Sequence, residues 1–244
     1  PRLSPPRAPL SARERFPAAA RGPSVAEFER ILPPMARIAT FAQQKGGSGK
    51  TTLLTQTAVA LAARGARVGL VDLDPQRSLA GWVDARARAG AGALDLGFWE
   101  SSEWRASGDI RRAAGESDIV LVDCPGAADV LLRSAMRAAD LVIVPAQPSP
   151  PDAWASRATL RMAAREGALA RIAFNRVSPR GGPLAEVEAM LSEEGADFLE
   201  TRIGNRVAYA AAFLEGRGVT EAPRAGKAAE EIAALSREVE RLLA

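Results

Sequence analysis

Histidine is absent from these 244 residues, cysteine occurs once, and lysine supplies only three of the 32 basic side chains. Each scarcity excludes something. Without histidine the chain has neither the usual general base nor the commonest metal ligand. A lone cysteine, Cys124, rules out an internal disulfide and leaves no cluster for an iron–sulfur or structural zinc centre. No apolar run approaches the roughly 20 residues of a membrane span. The arginine-bearing N-terminus also lacks the continuous apolar stretch of a signal peptide, so a cytoplasmic location is expected.

Net charge is +3, and six Arg against three Glu in residues 1–34 account for all of it. The remainder is balanced, so any nucleic-acid binding has to come from a local patch. Residues 1–34 also hold eight of the 17 prolines, which reads as a disordered or loosely attached leader. Met35 is the first methionine, so the leader also fits an upstream extension of the reading frame. Residues 35–244 form the expected domain.

From Met35 onward, short apolar runs alternate with helical patterns, as a parallel α/β sheet requires. The fold class expected is α/β, a mostly parallel twisted sheet of about seven or eight strands with helices on both faces. Seven strands are placed at 36–42, 67–71, 94–98, 118–122, 140–144, 170–174 and 197–202. Helices fall near 50–63, 78–89, 103–114, 128–138, 152–166, 184–194, 205–214 and 226–243. Runs such as Ile119-Val120-Leu121-Val122 are apolar throughout, which fits burial under helices on both sides.

Two of the three lysines flank one glycine loop, Lys45-Gly46-Gly47-Ser48-Gly49-Lys50-Thr51-Thr52. Elsewhere the chain uses arginine, so the pair marks a site wanting a compact ammonium on a flexible stem. The loop lies between a strand and a helix, the context in which backbone amides and a helix N-terminus cradle phosphate. The first glycine of the strict G-x-x-x-x-G-K-[ST] pattern is replaced by Gln44. What stands instead, K-G-G-x-G-K-T-T, is the deviant Walker A motif and resembles the ParA/MinD family of P-loop ATPases. Val71-Asp72-Leu73-Asp74-Pro75-Gln76 is similar to the ParA segment DxDPQ, and Ile119 to Asp123 looks like a Walker B strand. The resemblance covers about 35–243 and leans towards ParF-type partition ATPases through Leu141–Trp154 and the stretch after Tyr209.

That resemblance implies ATP and Mg²⁺ as cofactors and assigns tasks. Gly46, Gly47, Ser48, Gly49, Lys50, Thr51 and Thr52 would hold the phosphates. Thr51 would ligate Mg²⁺, with Asp123 and Asp72 on the metal side, and Asp74 would orient the attacking water. Lys45 is the signature lysine, reaching the partner's ATP across a homodimer. Asn175 at the end of a late strand would bind the base. Ile203-Gly204-Asn205-Arg206 resembles the family's I-P-x-N segment with Gly204 for the proline and Arg206 for the asparagine, which puts Arg206 at a second base-contacting position.

The activity implied is slow ATP hydrolysis stimulated by a ParB- or ParG-like activator. An ATP dimer would hold DNA without sequence preference and stay nucleoid-associated. Arg202, Arg206, Arg217 and Arg224 are the DNA candidates. The C-terminal helix has an apolar stripe but more Glu than Arg, so packing on the sheet is expected rather than membrane attachment. Two alternatives stand beside this reading: a metabolic enzyme of amidoligase or dethiobiotin-synthase type, and a regulator that binds nucleotide without turning it over.

Overall fold

The computed structural model describes residues 36–91, 94–102, 104–127, 130–180, 182–222 and 226–244. The leader expected at 1–34 lies outside these residues, as do Met35 and Arg224. By contacts the chain divides into Pro1–Pro34 and Met35–Ala244, and the second unit contains every described residue.

Six strands form one sheet: β1 Arg37–Phe41, β2 Val68–Asp72, β3 Leu96–Glu100, β4 Ile119–Asp123, β5 Leu141–Ala146 and β6 Ala170–Phe174. Their order is β3-β2-β4-β1-β5-β6 and every pairing is parallel. β2, β4 and β5 are buried at every position, the reason their sequences show no polar alternation. Eight helices connect them among the described residues: α1 Lys50–Ala62, α2 Ser78–Arg88, α3 Ala106–Glu116, α4 Val130–Ala138, α5 Pro150–Arg165, α6 Leu184–Ser192, α7 Val207–Leu214 and α8 Lys227–Leu243.

The two faces of the sheet carry two cores. One joins Leu53, Leu54 and Leu61 of α1 to Leu79 and Trp82 of α2 and to Ile232, Leu235 and Val239 of α8. The other joins Ile110 of α3, Leu132 and Met136 of α4, Ala163 of α5 and Leu191 of α6. The apolar stripe of the C-terminal helix is therefore occupied by the protein's own core. Among the described residues no helix is long and apolar enough to cross a membrane.

The seventh strand expected at 197–202 does not form. Asp197 to Gly204 runs parallel to β6 and touches the ladder at only two isolated bridges, Ile172 to Phe198 and Val177 to Gly204. Between the bridges, the Glu238 carboxylate on α8 takes the amides of Glu200 and Thr201 at 2.6 and 3.0 Å. The Thr201 amide, in phase with the Leu199 and Ile203 amides that donate to β6, is lost to the ladder, and the strand is interrupted by a side chain on α8.

Candidate nucleotide site

The strand order makes the chain leave β1 for β2, return through β4, and then continue to β5 on the other side of β1. This reversal is the switch point at which parallel sheets bind ligands, beyond the carboxyl ends of the strands. Register sets Asp123 beside both Phe41 and Asp72, so the glycine loop after β1 and two carboxylates emerge at one height.

α1 is preceded by Gly49, whose φ of 100° is in the left-handed region, and its first turn has no capping side chain and no acid. Its unpaired amides and partial positive charge are left for an anionic ligand. A cleft of about 600 Å³ opens over this turn, walled by Gly46, Gly47, Gly49, Lys50, Thr51 and Thr52, by Asp74 to Gln76, and by Pro125 and Gly126. Lys50 is 8% exposed and its Nζ rests 3.3 Å from the Gln43 carbonyl. An ammonium held so loosely is free to exchange that oxygen for phosphate.

The Thr51 hydroxyl donates to Asp123 Oδ2 at 2.7 Å. Asp123 is fully buried, and burial pushes its carboxyl up to about 7 despite the Thr51 bond and the nearby Lys50 charge. Its Oδ1 and the buried Ser48 hydroxyl have no partner among the described residues. A buried carboxylate with an orphaned oxygen beside a threonine hydroxyl fits a divalent cation whose other ligands are water and phosphate.

The two remaining carboxylates differ from each other. Asp72 accepts the Asp74 amide on Oδ1 and the Ala80 amide on Oδ2, each at 3.0 Å, and it is absent from the cleft wall. Burial raises its pKa against both amide bonds. Through these two bonds Asp72 fixes the Asp74 loop and the start of α2. Asp74 lines the cleft; its Oδ1 takes the Gln76 amide at 2.9 Å and its Oδ2 has no protein partner among the described residues. One oxygen shapes the turn and the other remains for water.

A side cleft of about 270 Å³ shares Gly49, Thr52 and Arg176 with the first and adds Asn175, Asn205, Arg206 and Tyr209. The two residues expected to bind the base here are already engaged. Asn175 Nδ2 donates to the Ser48 carbonyl at 2.9 Å and its Oδ1 accepts the Arg176 amide at 2.8 Å. The side chain thereby clamps the phosphate loop, in the space that Gly49 leaves by having no Cβ. Arg206 is paired with Glu231, which also accepts from the Tyr209 hydroxyl at 2.7 Å and the Gly204 amide at 3.1 Å.

Of the other DNA candidates, Arg202 is bound to Glu188 and the Leu199 carbonyl and lies 5.1 Å over the Phe174 ring. Arg217 is half-exposed, lies 3.9 Å from Glu215 and also helps to hold the Glu221 carboxyl below its ordinary range. Arg202 and Arg206 are thus fold contacts.

Sequence reading passed over Asp152 and Arg176. Asp152, 1% exposed at the start of α5, receives the Ser149 hydroxyl at 2.6 Å, the Gln147 amide at 3.2 Å and the ammonium of Lys45. Burial pushes this carboxyl up, but the Lys45 and Ser149 bonds outweigh it and hold it below the usual range. The S-x-x-D spacing of a helix start is the local signal for it. Arg176 takes the left-handed φ of 54° unusual for a side-chain-bearing residue and borders both clefts. Only its place after Asn175 marks it in the sequence.

A phosphate loop at the switch point of a parallel sheet, opposite a buried carboxylate, defines a P-loop nucleotide-binding protein. The family profile described as CobQ/CobB/MinD/ParA nucleotide binding domain matches residues 39–219. The chain is 33% identical over 205 residues to maintenance of carboxysome distribution protein A of Halothiobacillus neapolitanus, covering 81% of this chain and 94% of that protein. It is 31% identical over 190 residues to protein ParA of Rhizobium radiobacter, covering 73% and 83%. The septum site-determining protein MinD of Pyrococcus horikoshii, solved with Mg-ADP, shares the fold with a TM-score of 0.69 at 21% identity, over 85% of this chain and 97% of that one. The chain belongs to the ParA/MinD family of P-loop ATPases.

Proposed function

We propose that this chain is an ATP-driven positioning protein whose two copies close face to face over ATP and Mg²⁺, and whose closed dimer holds DNA without sequence preference. Hydrolysis, stimulated by an activator protein, reopens the dimer and so moves a cargo. The relatives that match over most of the chain leave that cargo between a chromosome, as the name chromosome partitioning protein ParA says of one, and a carboxysome, as the name of the carboxysome distribution protein says of another.

The observation that carries the reading is the division between the two loop lysines. Lys50 is buried in the phosphate cleft, whereas Lys45 is 39% exposed, lies outside the cleft wall and is tied to Asp152. A lysine placed there stands apart from its own nucleotide, and exchanging Asp152 for phosphate would carry it to a second copy's. Within one chain, Lys50 and the loop amides hold the phosphates, Thr51 and Asp123 hold the cation, and Asp74 positions water. The cation supplies charge neutralisation at the β- and γ-phosphates.

The Lys45→Ala variant tests this. It should bind nucleotide with affinity within about threefold of the parent yet show no nucleotide-dependent dimer by sedimentation and turnover at least about 10-fold lower. Lys50→Ala should lose nucleotide binding itself. Parental turnover by purified Lys45→Ala would refute the division of tasks.

A further inference from the structure

Resting on the two-copy reading above, we infer that Asp152 is a positioning residue that holds Lys45 back from a second copy's nucleotide, so that each copy carries its own brake on dimer closure. The Lys45 ammonium bonds Asp152 Oδ2 within one chain. That carboxylate does not depend on the lysine. Ser149 donates its hydroxyl to Oδ2 at 2.6 Å, and the Gln147 amide donates to Oδ1 at 3.2 Å. Each oxygen keeps a donor when the lysine leaves, so the departure strands no buried carboxylate without a bond. Asp152 also lies in the first turn of α5, where the helix dipole favours a negative group.

Lysine suits a hold that has to let go. The other ion pairs of the described residues, from Arg37–Asp140 to Arg241–Glu200, use arginine. A guanidinium fork can grip both oxygens of a carboxylate, whereas an ammonium is a single point of charge on a flexible stem. The loop on either side of Lys45 is fastened to the β5–α5 connection. Gln43 Nε2 donates to Ser156 Oγ and Gln43 Oε1 accepts from the Thr159 hydroxyl, each at 3.0 Å, and the Gly47 carbonyl accepts from Gln147 Nε2 at 3.3 Å. With the loop pinned before and after it, the Lys45 side chain is the part that moves.

Two copies make the hold count twice. A charge-assisted bond of this kind favours the held position by about 10-fold or more. Only the released lysine can serve the partner, so each copy lowers the dimer constant by that factor and the pair lowers it by the square, about 100-fold. Closure waits until a triphosphate, which carries more negative charge than the carboxylate, takes the ammonium.

The chain's shortage of lysine makes the test direct. Lys45, the buried Lys50 and the exposed Lys227 are its only lysines, so trace acylation of the full chain read by mass spectrometry resolves each one. Without nucleotide, Asp152→Asn should raise labelling of Lys45 at least about fivefold and leave Lys227 unchanged. In sedimentation with Mg²⁺ and a non-hydrolysable ATP analogue, the same variant should dimerise at a protein concentration at least about 10-fold lower than the parent. With ATP, the protein concentration that gives half-maximal turnover should fall in step. Asp152→Ser, which also lacks the charge, should reproduce these shifts, which separates the lost pair from a disturbed helix start. Adding Lys45→Ala to Asp152→Asn should erase the gain, because the effect passes through the lysine. A dimer midpoint within about threefold of the parent's in both Asp152 variants, or a weaker dimer, would overturn the proposal, as would unchanged labelling of Lys45. If the parent dimerises and the variants merely match it, the brake alone fails. If the parent forms no nucleotide-dependent dimer at any concentration, the two-copy reading fails and takes the brake with it.

Discussion

Gly49→Ala is expected to weaken nucleotide binding by at least about 100-fold while leaving the domain folded. A Cβ built at this position lies 2.2 Å from Asn175 Nδ2, and the φ of 100° is one that L side chains rarely adopt. Left-handed strain costs about 1–2 kcal/mol, and displacing Asn175 from the Ser48 carbonyl and the Arg176 amide costs about 1–3 kcal/mol more. At about 1.4 kcal/mol per tenfold, those sums reach two decades if the loop yields to relieve them. Titration with a fluorescent ATP analogue measures it. Adding Asn175→Ala to Gly49→Ala removes the overlap but not the strain, so the double variant should recover part of the loss. A Gly49→Ala protein binding within threefold of the parent would show that the loop tolerates the overlap.

Gly216→Ala should act on the fold instead. With φ at 64°, a Cβ there would lie 2.0 Å from the Arg86 amide nitrogen and 2.4 Å from its Cα, so no rotamer change relieves it. The same contact carries Arg86, whose guanidinium donates to the Gly216 carbonyl at 3.0 Å and pairs with Glu221 at 2.8 Å in a mostly buried setting. Backbone overlap together with disruption of a buried ion pair places the expected destabilisation at about 4 kcal/mol or more. Gly65→Ala is the control: φ is 95° but nothing lies within 4 Å of the added carbon, so about 1–2 kcal/mol is expected. Urea denaturation of both variants settles the comparison, and equal costs would mean that the close approach to α2 is not tight.

The contrast between what the sequence revealed and what it hid follows the distance over which each feature is determined. The phosphate loop is written in eight consecutive residues whose glycines and lysines serve local geometry, and the strands that flank it are apolar because both their faces are covered. β3 lies at the sheet edge with only half-buried side chains, and its expected start at 94 falls two residues early because no strong pattern marks it. Arg202 and Arg206 look like free surface cations in the sequence; Glu188 and Glu231, 14 and 25 residues distant, neutralise them. The Lys45 and Asp152 pair spans 107 positions. Asn175 was legible as a site residue, but not its direction, because the partner is a main-chain carbonyl that no composition reveals.

The interrupted strand has a consequence for how the protein keeps to itself. The stretch from Asp197 to Gly204 occupies the outer margin of β6, donating from Leu199 and Ile203 and accepting at Asp197 and Ile203. Glu238 holds the middle of that stretch away from regular pairing. An open sheet margin is a template on which another chain can add a strand and seed aggregation. Here the margin is covered by a segment that is itself a poor template, since two of its donors are spent on a carboxylate. A protein expected to meet its own copies repeatedly, in a defined face-to-face manner, thereby closes off a competing and irreversible way of meeting them.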